Sequence, residues 1–135
     1  MKKNKGWTDK QDFSVSVEMF KVDIVFICNC KEKEVKKRLK KASGENFKYF
    51  KKGMTKGWNN IENRGRMFSF RGGFVVLLKS EDSFRHYVAN LVHEVTHVTH
   101  YLLRDRNIPL NEDTEEIYTY LVEYITEQAL LKLYD

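Results

Sequence analysis

FVVLLKSEDSFRHYVANLVHEVTHVTHYLLRDR, residues 74–106, passes from a β-branched apolar run into the longest helical pattern of the chain. Ser80 is a good helix N-cap, Glu81 and Asp82 favour the positive helix end, and the pattern runs to about Arg106. Phe84, Val88, Leu91, Val95, Val98 and Leu102 recur at steps of three and four, so this stripe is expected to lie on a sheet. His86, Asn90, His93, His97, His100 and Arg104 occupy the opposite side, where a purely structural surface helix would more often carry Lys and Glu.

Working outward, Arg66–Phe70 and Phe74–Lys79 flank Arg71, Gly72 and Gly73, which predicts a hairpin leading into the helix. Downstream, residues 107–111 contain the only proline and form a turn. A further helix is expected from near Glu112, capped by Asn111, with Ile117, Leu121, Tyr124 and Ile125 on its apolar side. Upstream, FSVSVEMFKVDIVFIC at 13–28 reads as one bent strand or a pair, and 31–42 as a basic helix with Val35 and Leu39 as a narrow apolar stripe. Residues 45–63 lack a period and read as an irregular loop. The order of elements predicts an α+β domain spanning 1–135, with 1–12 as a flexible polar tail.

Hydrophobic residues make up 41% and charged residues 32%, with no apolar run of membrane-span length, so a membrane-embedded protein is excluded as an expectation. No apolar stretch follows the positive start, and the only cysteines, Cys28 and Cys30, sit two apart, which suits reduced thiols and a cytoplasmic setting. Net charge is +5, but 31–58 holds 11 basic against 3 acidic residues and 105–135 holds 8 acidic against 2 basic. Such a dipole suggests separate surfaces for separate partners. The basic stretch, with Phe47, Tyr49, Phe50 and Trp58 interleaved, has the composition of a segment that tracks a phosphate backbone and stacks bases; a solvated face is the plainer alternative.

His93-Glu94-Val95-Thr96-His97 is an HExxH motif. Residues i and i+4 of a helix point the same way, so both imidazoles can reach one Zn2+, while Glu94 lies at the side of that face as a general base for a metal-activated water. A catalytic zinc normally has three protein ligands, and the pattern that would add a third histidine downstream is absent, with His100 and Leu103 at its Gly and His positions. The third ligand is then sought among Glu112, Asp113, Glu115, Glu116, Glu123 and Glu127 of the last helix. The chain descends about 15 Å from His97 to Asn107, and Glu116 climbs back about 8 Å and Glu123 about 18 Å, so these two bracket the target.

HEVTH on one helix and a glutamate on the next resemble a gluzincin, especially the minimal gluzincin-like peptidases with a zincin-like fold, over residues 80–125. Glu116-Ile117-Tyr118-Thr119-Tyr120-Leu121 is similar to a short stretch of small HExxH proteins of phage and prophage genomes. The resemblance implies a small, mostly antiparallel sheet on the HExxH helix, Glu116 as third zinc ligand, a peptide or protein substrate, and Phe74–Lys79 as the edge strand along which the peptide lies, although the consecutive Val75, Val76, Leu77 and Leu78 would also suit an interior strand. Tyr120, one turn beyond Glu116, is a candidate oxyanion donor or an ordinary core tyrosine. Three functions are therefore expected in competition: a zinc metallopeptidase, a non-catalytic phage-type binding protein on the same scaffold, and a basic nucleic-acid-associated module.

Overall fold

The computed structural model describes residues 6–43, 55–70 and 72–134. The alternating stretch after Lys10 splits into β1 (Gln11–Val17) and β2 (Val22–Cys28), joined by a single 3-10 turn at Glu18–Phe20. Lys21 closes that turn in the left-handed region (φ 54°) and donates its N–H to the Glu18 carbonyl, which reverses the chain for antiparallel pairing. The basic helix α1 follows (Glu32–Ser43), then β3 (Gly65–Phe70) and β4 (Gly73–Leu78), a hairpin whose paired ends Phe70 and Gly73 leave a two-residue loop with Gly72 at φ 86°. The HExxH helix is α2 (Phe84–Asp105), and α3 (Glu115–Tyr134) completes the chain.

The sheet order is β1-β2-β4-β3, with β2 parallel to β4 and both outer pairs antiparallel. Two of the three pairings are thus antiparallel, as a mostly antiparallel sheet requires, and the one parallel pair makes the sheet mixed, because α1 carries the chain over one face and β4 is inserted between β2 and β3. The expectation that Phe74–Lys79 lies at an edge is corrected accordingly. Phe74 to Leu78 are all buried in the interior strand β4, and β3 is the edge beside α2. A run apolar on both sides is what a strand covered on both faces requires.

Period-two alternation divides the core. Ile24, Phe26, Cys28, Phe74, Val76 and Leu78 pack against α2 and α3, while Val25, Ile27, Val75 and Leu77 pack against Val35, Leu39 and Trp58. Burying one such aliphatic side chain contributes about 1.5–3 kcal/mol, so two buried faces give a 135-residue chain an adequate core. α1 is thus on the opposite layer from α2 and α3, and the basic face and the HExxH face are separated by the sheet.

Several boundaries shift for identifiable reasons. α2 is capped by Ser83, whose Oγ accepts from the His86 N–H (3.2 Å), not by Ser80. Glu81 is drawn inward to Arg64 and Asn90, which keeps residues 80–82 out of the helix. The expected stripe holds at Leu91, Val95, Val98 and Leu102, all buried, while in the first turns Phe84 and Val88 are half-buried and Tyr87 is fully buried. α3 begins later than Glu112 because Asn111 Oδ1 caps a separate turn, accepting from the N–H groups of Asp113 and Thr114. Its buried side is Tyr118, Leu121, Ile125, Ala129 and Leu133, with Ile117 exposed. Of the expected 1–12 tail, residues 1–5 lie outside the described residues, and from Gly6 onward the chain is packed. Trp7 lies 5.4 Å from Tyr87, ring to ring, and its carbonyl accepts from Asn29 Nδ2 (2.7 Å).

Candidate active site

The HExxH residues lie mid-helix on α2 and divide by direction. His93 and His97 are exposed, whereas Glu94 is buried, only 6% exposed. The histidine rings converge edge to face, with their Nε2 atoms 3.2 Å apart. Two nitrogens on a tetrahedral zinc at about 2.0–2.1 Å are about 3.3–3.4 Å apart, close to this separation, which is also the length of a hydrogen bond between the two rings.

Glu94 owes its shelter to Gly65, the first residue of edge strand β3. A Cβ at Gly65 would lie 2.9 Å from both Cγ and Oε1 of Glu94, closer than such atoms approach. Glycine therefore lets the strand press directly on the carboxylate. Burial raises the proton affinity of Glu94 above the ordinary carboxyl range, while His93, His97 and Arg66 pull it back. A carboxylate so placed is an effective acceptor of a proton from a neighbouring water.

A cleft of about 280 Å³ opens at this point, bounded by Glu62, Asn63, Arg64 and Gly65 on one side and Asn90, His93 and Glu94 on the other. Arg64 is held over it by Glu81, with NH1 2.9 and 3.0 Å from the two carboxylate oxygens, and Asn90 Nδ2 donates to the same carboxylate (2.9 Å). Arg64 was not singled out by the sequence, and Glu81 only as an acidic residue at the start of the helix; the signal that could have found this corner is Gly65 just before the Arg66–Phe70 strand. Asn90, expected on the histidine side of the helix, thereby joins α2 to the segment before it.

The open side of β3 follows from one hydrogen bond. Lys79 N–H donates to the Arg64 carbonyl (3.1 Å), so those two residues form a hydrogen-bonded pair of the antiparallel ladder. Alternation then turns the N–H and C=O groups of Gly65, Met67 and Ser69 away from β4, toward the side on which no strand pairs among the described residues.

Among the described residues no group of three or more His, Cys, Asp and Glu side chains gathers as a complete metal site. Glu116 is exposed in the first turn of α3. The α2–α3 hairpin is registered by His100 against Tyr118 (5.1 Å between rings). Counting from that contact at about 1.5 Å per residue, Glu123 stands level with the space between His93 and His97, and Glu116 about 10.5 Å from that level. Glu123 and Glu127 also line an apolar groove with Val92, the neighbour of His93. Tyr120 is not brought to the histidines: it stacks on Tyr124 and lines a groove against β1, with Ser16 and Met19 on its far side.

Phe47, Tyr49 and Phe50 lie outside the described residues. Trp58 is wholly buried and its Nε1 donates to the Cys30 carbonyl (2.9 Å), so it offers no face to a base. Cys28 and Cys30 are free thiols in the two separate cores, and burial pushes the Cys28 thiol up to about 12. No helix among the described residues is long and apolar enough to cross a membrane. Comparison with known proteins gives no match: no family model, curated protein or solved structure is significantly similar to the chain.

Proposed function

We propose that the protein is a zinc-dependent peptidase of gluzincin-like construction on a zincin-like fold. The observation that carries this reading is the convergence of the His93 and His97 Nε2 atoms beside a sheltered Glu94, next to an edge strand with open backbone groups. His93 and His97 would hold Zn2+ together with a carboxylate from α3: Glu116 by family resemblance, Glu123 by the register of the hairpin. Held there, the metal would supply Lewis-acid polarisation of the scissile carbonyl and a nucleophilic water near neutral pH.

The chain's own residues supply the rest. An extended peptide adds to β3 through Gly65, Met67 and Ser69, which brings its backbone alongside Glu94. Glu94 takes the proton of the attacking water and passes it to the leaving amine. Arg64, steadied by Glu81, keeps guanidinium N–H groups at the cleft for the oxygen on which negative charge develops. Tyr120 is not assigned that task, since it faces β1.

The test is Glu94→Gln in zinc-loaded protein. Peptide hydrolysis should fall by at least about a hundredfold, the usual weight of a general base, with one zinc per chain retained. Undiminished hydrolysis would end the mechanism. The second reading, a binding protein that keeps this frame without catalysis, is favoured by the absence of a third gathered ligand among the described side chains. Stoichiometric zinc with no cleavage of any peptide would establish it.

A further inference from the structure

A second cleft, of about 810 Å³, adjoins the first and shares Asn63 and Arg64 with it. Its walls carry four cationic side chains, Lys10, Lys31, Arg64 and Lys79, against the carboxylates of Glu81 and Asp82. Glu81 is already engaged by Arg64 and Asn90. Lys10 and Lys31 are exposed and make no ion pair among the described residues. Lys79 Nζ is held by the Trp58 and Asn60 carbonyls and packs over the Trp58 ring, with no carboxylate among these partners. Burial and the repulsion of Arg66 lower its proton affinity, and nearby Glu62 offsets part of this. Against Asp82 in the cleft and Glu62 near Lys79, the three lysines leave the cleft with a net positive charge.

Its position relative to β3 gives it a direction. Antiparallel pairing is the more stable mode for an added strand, and it runs the peptide from the Phe70 end of β3 toward Gly65. At about 3.4 Å per residue, the chain beyond Glu94 passes Arg64 and Asn63 and enters the basic cleft within roughly two to four residues. We propose that the site selects polypeptides with acidic side chains on the C-terminal side of the bond presented to Glu94, held by Lys10, Lys31 and Lys79. The cleavage half of this statement rests on the peptidase reading; the binding half stands on the cleft alone.

The experiment has two arms. Zinc-loaded protein is given peptides with one apolar core followed by Glu-Glu-Glu, Gln-Gln-Gln or Lys-Lys-Lys. A fluorescein-labelled Glu-Glu-Glu peptide is titrated by anisotropy into Glu94→Gln protein. At low salt kcat/KM should favour Glu over Gln by about tenfold, as two or so exposed ion pairs allow, and the preference should shrink as salt screens them. Lys10→Glu with Lys31→Glu should abolish or invert the ratio, and Lys10→Gln with Lys31→Gln should fall between.

Cleavage of all three sets at equal rates, untouched by charge reversal, overturns the basic cleft and leaves the peptidase standing. Lysine-dependent binding of the acidic peptide with no cleavage by the unmutated protein supports the cleft and removes the peptidase. Equal competition by an oligothymidylate of matched charge overturns an acidic polypeptide as the occupant in favour of a general polyanion surface.

Discussion

Replacing Gly65 by alanine probes the contact on which the site is built. The new Cβ would stand 2.9 Å from Glu94 Cγ and Oε1 and 3.2 Å from Cδ, whereas carbon atoms rest about 3.5–4.0 Å apart. The contact must open by about 0.6 Å or more. Because β3 is tied to β4 along its length, the displacement falls mainly on the glutamate side chain. Overpacking costs about 1–3 kcal/mol, and a movable side chain places this case at the lower end, a fall of roughly 4 °C in melting temperature. The kinetic consequence is larger, since a reacting group misplaced by about 1 Å can cost about a hundredfold in rate. We therefore expect Gly65→Ala to bind zinc one to one, to melt a few degrees lower, and to lose about two orders of magnitude in kcat/KM on any peptide the unmutated protein cleaves. Combining it with Glu94→Gln should add little, because both act through one carboxylate. Full turnover in a folded Gly65→Ala protein would show that the strand does not position the base.

Four further outcomes follow from the same geometry. Glu123→Gln should weaken zinc binding by a hundredfold or so while Glu116→Gln leaves it nearly unchanged, measured by competition with a chromogenic chelator; the reverse order would favour the ligand implied by resemblance over the hairpin register. Tyr120→Phe should leave peptide turnover within about twofold, whereas loss of an oxyanion donor would cost about a hundredfold or more. Trp58→Ala should destabilise the fold by about 3–5 kcal/mol in urea denaturation, and a value near zero would contradict its burial at the centre of the α1 layer. Cys28 should resist a thiol-specific disulfide reagent at pH 8, where a group near 12 is almost wholly protonated, and should react once guanidinium exposes it; rapid native labelling would contradict its burial.

Read alone, the amino-acid sequence already placed a strand and then a long helix in residues 74–106, a hairpin connection just before Phe74, Val35 and Leu39 on the buried side of α1, and His93 and His97 on one face with Glu94 at their side. These are local matters, set by the 3.6 and 2.0 residue periods of the backbone, which a string of letters preserves. Long-range packing was needed to place β4 inside and β3 at the edge, to bring Gly65 against Glu94, to turn Glu81 to Arg64, and to face Tyr120 toward β1. Each depends on residues far apart in the chain meeting in a particular order, and strand order, hairpin register and the rotation of a helix about its axis are fixed by competition among alternative packings of the same apolar faces, to which no local periodicity is sensitive.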